Sequence, residues 1–141
     1  MSESAERTSL GFVAAPGPAV LVHGGVGSSE ASGDGCRVAA EVVHAYLKEG
    51  GDVLEAATRA VARLEDDGRY NAGSGSVFRM DGETVEMDAA VMDSGGRMGC
   101  VAAIRDVKNP VRVAREVAET PHVMLAGPGA REFAARRGIA E

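Results

Sequence analysis

Val77-Phe78-Arg79-Met80-Asp81-Gly82-Glu83-Thr84-Val85-Glu86-Met87 is the stretch on which the fold class turns, because the hydrophobic period changes there. Upstream, apolar residues recur at helical spacing. Here they alternate about an Asp-Gly pair, which is the pattern of two strands joined by a tight turn. Residues 88–92 and 98–105, separated by Asp93-Ser94-Gly95-Gly96-Arg97, read as a second strand pair. Hairpins leave one sheet face in need of cover, so the predicted class is α/β in the α+β sense, an antiparallel sheet covered by helices.

Toward the N-terminus, Ala19-Val20-Leu21-Val22 reads as a short strand buried on both faces and stopped by His23-Gly24-Gly25. Val38, Val42 and Tyr46, beside Ala39, Val43 and Leu47, make the apolar face of a helix that stops at Gly50-Gly51. Asp52 and Glu55 form a capping-box pattern ahead of a second helix, whose apolar stripe is Val53, Ala57, Val61 and Leu64. Toward the C-terminus, Asn109-Pro110 supplies an N-cap and first-turn proline for a helix to about Glu119. Residues 122–126 read as a strand, and Gly127-Pro128-Gly129 opens a last helix closed near Gly138. Residues 1–18 mix charge, Ser, Gly and Pro without periodicity and are expected to be a flexible leader, leaving 19–141 as the folding unit.

The chain's 141 residues, 45% of them hydrophobic, suffice for one core. A net charge of -6, from 21 acidic and 15 basic residues with no basic run, argues against nucleic acid or an anionic membrane as partner. No apolar run approaches the roughly 20 residues of a membrane span, so a cytoplasmic location is expected. Cys36 and Cys100 lack the spacing of a zinc site or a disulfide framework. Glycine, at 19 residues, is about twice its usual share of roughly 7%, and it gathers in loops.

Two of those loops could carry chemistry. In Val22-His23-Gly24-Gly25-Val26-Gly27, backbone N–H groups after a strand suit a phosphate cradle, an oxyanion or cleavage-site loop, or a plain tight turn. The Gly-Lys-Ser/Thr of a P-loop does not follow. His23 is either a general base or a hydrogen-bonded structural residue. The second loop, Leu64-Glu65-Asp66-Asp67-Gly68-Arg69-Tyr70-Asn71-Ala72-Gly73-Ser74-Gly75-Ser76, is either a solvated turn or a set of oxygen ligands for a hard cation.

Taken in order, His23-Gly24-Gly25-x-Gly27, the loop from Leu64 to Ser76, Asp81-Gly82, Glu86-Met87-Asp88-Ala89 with Met92-Asp93, Val107-Lys108-Asn109-Pro110 and Thr120-Pro121-His122-Val123 resemble the plant-type asparaginases (isoaspartyl peptidases). Ser94, where many members have glycine, is a mild departure. The resemblance implies an αββα sandwich of the N-terminal-nucleophile hydrolases, of which this chain is the α-subunit half. It implies hydrolysis of L-asparagine and β-aspartyl dipeptides by an N-terminal threonine of a β subunit, which self-cleavage of a common precursor exposes. An (αβ)2 dimer is implied as well. Residue by residue, Asn71 matches the asparagine that approaches the nucleophile. Gly24 and Gly25 match the loop beside the cleavage site. The carbonyls of Leu64, Glu65, Asp67, Tyr70, Ala72 and Ser74 match a sodium-binding loop, with no cofactor needed for the chemistry.

Thr8, Thr58, Thr84 and Thr120 all lack the Val/Ile-Gly-type setting of the family's nucleophile, which is therefore expected outside these residues. Asn71 has the alternative of a turn asparagine bonded to its own backbone. Competing functions are a non-catalytic binding or assembly chain of the same fold, an aspartylglucosaminidase-like or taspase-like specificity, and a glycine-loop phosphate binder.

Overall fold

A computed structural model describes residues 17–27 and 30–139. The leader expected at 1–18 therefore lies outside the described residues except for Gly17 and Pro18. Helices α1 (Gly33–Lys48) and α2 (Val53–Asp67) are followed by strands β1 (Met87–Met92) and β2 (Met98–Ile104). Helix α3 (Pro110–Val117), strand β3 (Met124–Ala126) and helix α4 (Gly127–Arg136) complete the order. The mixed helix-and-sheet class expected from the sequence is the one observed.

The sheet departs from expectation. β1 and β2 pair antiparallel, but β2 and β3 pair parallel, so the three-stranded sheet is mixed. The turn after α3 brings the chain back to run beside β2 in the same direction, with the Cys100 N–H donating to Val123 O at 2.8 Å.

The ladder expected over 77–87 does not form. Its turn does: Asp81 Oδ1 accepts the N–H groups of Glu83 and Thr84 at 3.0 and 2.9 Å, and the Arg79 N–H donates to Thr84 O at 2.7 Å. The Thr84 hydroxyl, then the Thr84 and Glu83 amides, hold the Asp81 carboxyl down at about 2. Beyond that turn the Val77 N–H goes to the Asn71 side chain at 3.1 Å, which removes it from any cross-strand bond. A clamp of Arg79 and Arg105 on the Glu86 carboxylate holds the two arms instead.

The strand expected at 19–22 is also corrected. The segment has no strand neighbour among the described residues. Val20 and Val22 pack on the α1 and α2 side, while Leu21 is 96% exposed, so only one face is covered.

Helix α2 is held at its start by Asp52, whose Oδ1 accepts the Glu55 N–H at 2.8 Å. It ends at Gly68, which takes the left-handed conformation with φ 77°. The stripe predicted as its core face is corrected: Val53, Ala57 and Val61 are exposed, and of that set only Leu64 is buried. α2 instead buries two other faces. Ala56 and Ala60 meet Val43 of α1, whereas Leu54 and Ala62 join the main core. On α1 the buried positions are Gly35, Ala39 and Val43, and Val42 is exposed.

That main core lies between the sheet and α3, where Val111, Val113, Ala114 and Val117 meet Val91, Val101 and Ile104. Gly99 makes the contact possible. A Cβ there would fall on Ala114 O of α3 and on the N of Ala118 just past its end, so the helix lies against bare β2 backbone. Asn109 precedes α3 as predicted, but its side chain does not cap that helix.

Candidate functional site

The last turn of α2 and the loop after it build the site. Helix geometry leaves the final carbonyls of α2 without intrahelical partners, and the helix dipole places partial negative charge on them. Past Gly68 the chain folds back through a 3-10 turn at Gly73–Gly75. Two glycines allow this. A Cβ on Gly73 would lie 2.7 Å from Glu65 O, and one on Gly75 would meet Tyr70 O and lie 2.6 Å from Gly68 O. Carbonyls of the helix end and of the loop are thereby crowded together. Tyr70 O accepts the Ala72 N–H at 2.8 Å and Ala72 O accepts the Gly75 N–H at 3.1 Å. Each carbonyl keeps a second lone pair.

Among the described residues no group of three or more His, Cys, Asp or Glu could hold a metal. A cation here would have to take backbone oxygens, the ligand type that hard cations prefer.

Asn71 uses its side-chain carbonyl as a brace. Oδ1 accepts the Val77 N–H at 3.1 Å, a bond across six residues that shapes the end of the loop. Asn71 also lines a cavity of about 290 Å³ with Val61, Glu65, Gly73, Asp88 and Ala90.

No sequence pattern marks the Glu65 side chain, yet it is 2% exposed and ties α2 to α3. Its Oε1 accepts the Val111 N–H at 3.1 Å and its Oε2 accepts from Asn109 Nδ2 at 3.1 Å. A carboxylate on α2 thus does the capping that Asn109 was expected to do for α3. Burial pushes the Glu65 carboxyl above its ordinary value, opposed by the hydrogen bonds from Val111 and Asn109. Its only trace in the sequence is a charged residue next to Leu64 at the buried end of a helix.

The two glycine-rich segments meet at Tyr70, which is 3% exposed. Its ring supports Gly24, where a Cβ would lie 2.7 Å from Tyr70 Cε1 and 3.0 Å from Cys36 Sγ. Its hydroxyl donates to Ser32 O and accepts from the Cys36 thiol at 3.7 Å. Burial, then Cys36, raises the phenol above its ordinary value, so it stays an O–H donor. Outside the pair, Arg69 bridges Asp67 and Asp34 at 2.5 and 2.8 Å and closes the gap between the loop and α1.

Gly25 has φ 93°, the left-handed region that glycine favours. His23 Nδ1 accepts the Gly25 N–H at 3.0 Å, which is the structural alternative weighed for this histidine. It also removes the Gly25 amide from the donors expected to be free for an oxyanion.

An α/β chain whose first glycine loop rests on a buried tyrosine from a carbonyl-lined turn is the class these features define. A family model described as asparaginase matches residues 16–141, and the chain belongs to that family. It is 46% identical over 133 residues to the isoaspartyl peptidase/L-asparaginase of Macaca fascicularis and 44% identical over 133 residues to that of Homo sapiens. Each alignment covers 88% of this chain and 42% of the relative. The plant-type L-asparaginase of Pyrococcus furiosus is 45% identical over 132 residues, covering 87% of this chain and 42% of that protein. The chain spans less than half the length of these curated relatives. No helix among the described residues is long and apolar enough to cross a membrane.

Proposed function

We propose that this chain is the α-subunit portion of an amidohydrolase that releases L-aspartate from L-asparagine and β-aspartyl dipeptides. The observation that carries the reading is the junction of the two family loops at Tyr70, in a chain with 46% identity to an isoaspartyl peptidase/L-asparaginase. The reacting group belongs to a threonine-led β subunit of the same precursor. Thr58 and Thr120 are unsuited to it, since their hydroxyls donate to Leu54 O and Val117 O at 2.8 and 2.7 Å.

In this scheme the threonine hydroxyl attacks the side-chain amide carbon while its own α-amino group takes the proton, a task that an unperturbed pKa of roughly 7.7 to 8.0 suits. The tetrahedral oxyanion collapses, the proton passes to the departing amine or ammonia, and a β-aspartyl ester remains. Water, deprotonated by the same amino group, then releases aspartate and restores the hydroxyl. This chain's contribution is support. Asn71 and the glycine loop at Gly24 and Gly25 flank the nucleophile and the cleavage site. The carbonyls of Leu64, Glu65, Asp67, Tyr70, Ala72 and Ser74 hold a sodium ion that fixes the loop carrying Asn71, and the unit assembles as (αβ)2.

Mass spectrometry of the full protein together with hydrolysis assays tests the reading. Two polypeptides are expected, the second beginning with Thr, with ammonia released from asparagine and free aspartate from β-Asp-Leu. Activity in the chain alone, or no activity despite a threonine-led partner, overturns it.

A further inference from the structure

Tyr70 is placed where a side chain could fix the distance between the two loops, and its parts are divided among three segments. Its backbone lies in the loop of Asn71, where its carbonyl accepts from Ala72 at 2.8 Å and faces Gly75. Its ring edge lies beneath Gly24, with the Cε1 and Cδ1 atoms 2.7 and 3.2 Å from where a Cβ would stand. Its hydroxyl is fixed at the start of α1, bonded to Ser32 O, while Cys36 one turn on donates to it at 3.7 Å. Gly35 completes the seat, since a Cβ there would strike the hydroxyl.

We infer that Tyr70 is a positioning residue, its phenol anchored on α1 so that its ring holds the 23–25 loop at a fixed height above the loop carrying Asn71. A ring without the hydroxyl would still fill the space but could swing about its side-chain bonds. The hydrogen bond to Ser32 O removes that freedom. The ring is the support that Gly24 meets from below, while Gly25 and His23 beside it are exposed. Displacement of about 1 Å in a catalytic constellation can lower a rate by about 100-fold, so a fixed ring matters to a site built from both loops.

The consequence for turnover rests on the function proposed above, so the test reads both turnover and the loop itself. In the full protein, Tyr70→Phe is expected to lower kcat about tenfold with KM changed less than about twofold. Gly24→Ala, which drives a methyl into the ring, is expected to lower kcat about 100-fold. Combined, the two should lose no more than Gly24→Ala alone, because an unanchored ring can move aside for the methyl. Hydrogen exchange across residues 20–27 should accelerate about tenfold in Tyr70→Phe while α3 is unchanged, a local opening that lost global stability would not give.

Multiplicative losses in the double variant, unchanged kcat and loop exchange in Tyr70→Phe, or failure of Tyr70→Phe to fold each overturn the inference. If the wild-type protein hydrolyses neither substrate while Tyr70→Phe still loosens the 20–27 segment, the functional reading falls and the positioning role stands.

Discussion

Glu65 shows how much one buried residue decides here. Its carboxylate takes the Val111 N–H and the Asn109 amide, so removing it leaves both donors without that acceptor. Glu65→Ala is predicted to destabilise the protein by about 2 to 4 kcal/mol, measured by chemical denaturation. Glu65→Gln keeps an acceptor for Val111 and should stay within about 1 kcal/mol of wild type at neutral pH. Their pH dependence differs in sign from that of an ordinary salt-bridged carboxylate. The folded protein raises the Glu65 carboxyl above its ordinary value of 4.5, so this residue lowers stability as pH climbs from 4.5 through the folded value. Below 4.5 that penalty is absent. Glu65→Gln should therefore gain stability relative to wild type as pH rises over this range, and a variant that instead loses stability relative to wild type would contradict the account. Tyr70 and Glu65 were quoted in the sequence for their carbonyls alone. Their side-chain roles depend on contacts 38 and 46 residues away in the chain, to Ser32 and Val111, which no local pattern encodes.

At the scale of elements, the sequence was informative where a local signal sufficed. The Asp52 cap and the β1–β2 hairpin each follow from a few neighbouring residues. It failed where a partner was needed. The period of α2 is legible but its face is not, because Val53 and Val61 are more hydrophobic than the alanines that α2 buries against its neighbours. Small residues there allow close approach. Gly99 is the extreme case, and it yields a paired prediction. Gly99→Ala places a methyl on Ala114 O and Ala118 N, backbone atoms that cannot yield, so α3 must lift from β2. A loss of about 3 kcal/mol or more is expected. Gly129→Ala, inside α4 with open space at its Cβ position, should stabilise by about 0.5 to 1 kcal/mol. Thermal unfolding of the two variants reads both, and equal effects would show that the α3–β2 contact is looser than described.

For the whole molecule, the distribution of exposed apolar groups bears on the proposed second subunit. Leu21 is 96% exposed in a segment that has no strand neighbour among the described residues, and Met92 on β1 is 70% exposed. Leu21 alternates with Val20 and Val22, which are partly buried, as in a strand covered on one face only. The expectation of two buried faces was drawn from the same four residues, and it is met in full only if further chain covers the other side. This makes Leu21 a sensor of completeness. In a protein where it stays on the surface, Leu21→Ala should change stability by no more than about 0.5 kcal/mol. In the two-subunit protein proposed above, the same change removes a buried side chain and should destabilise by about 2 to 5 kcal/mol, with faster dissociation of the subunits on dilution. Denaturation of the full protein, wild type against Leu21→Ala, distinguishes the two, and a difference below about 0.5 kcal/mol would show that no second chain packs on this segment.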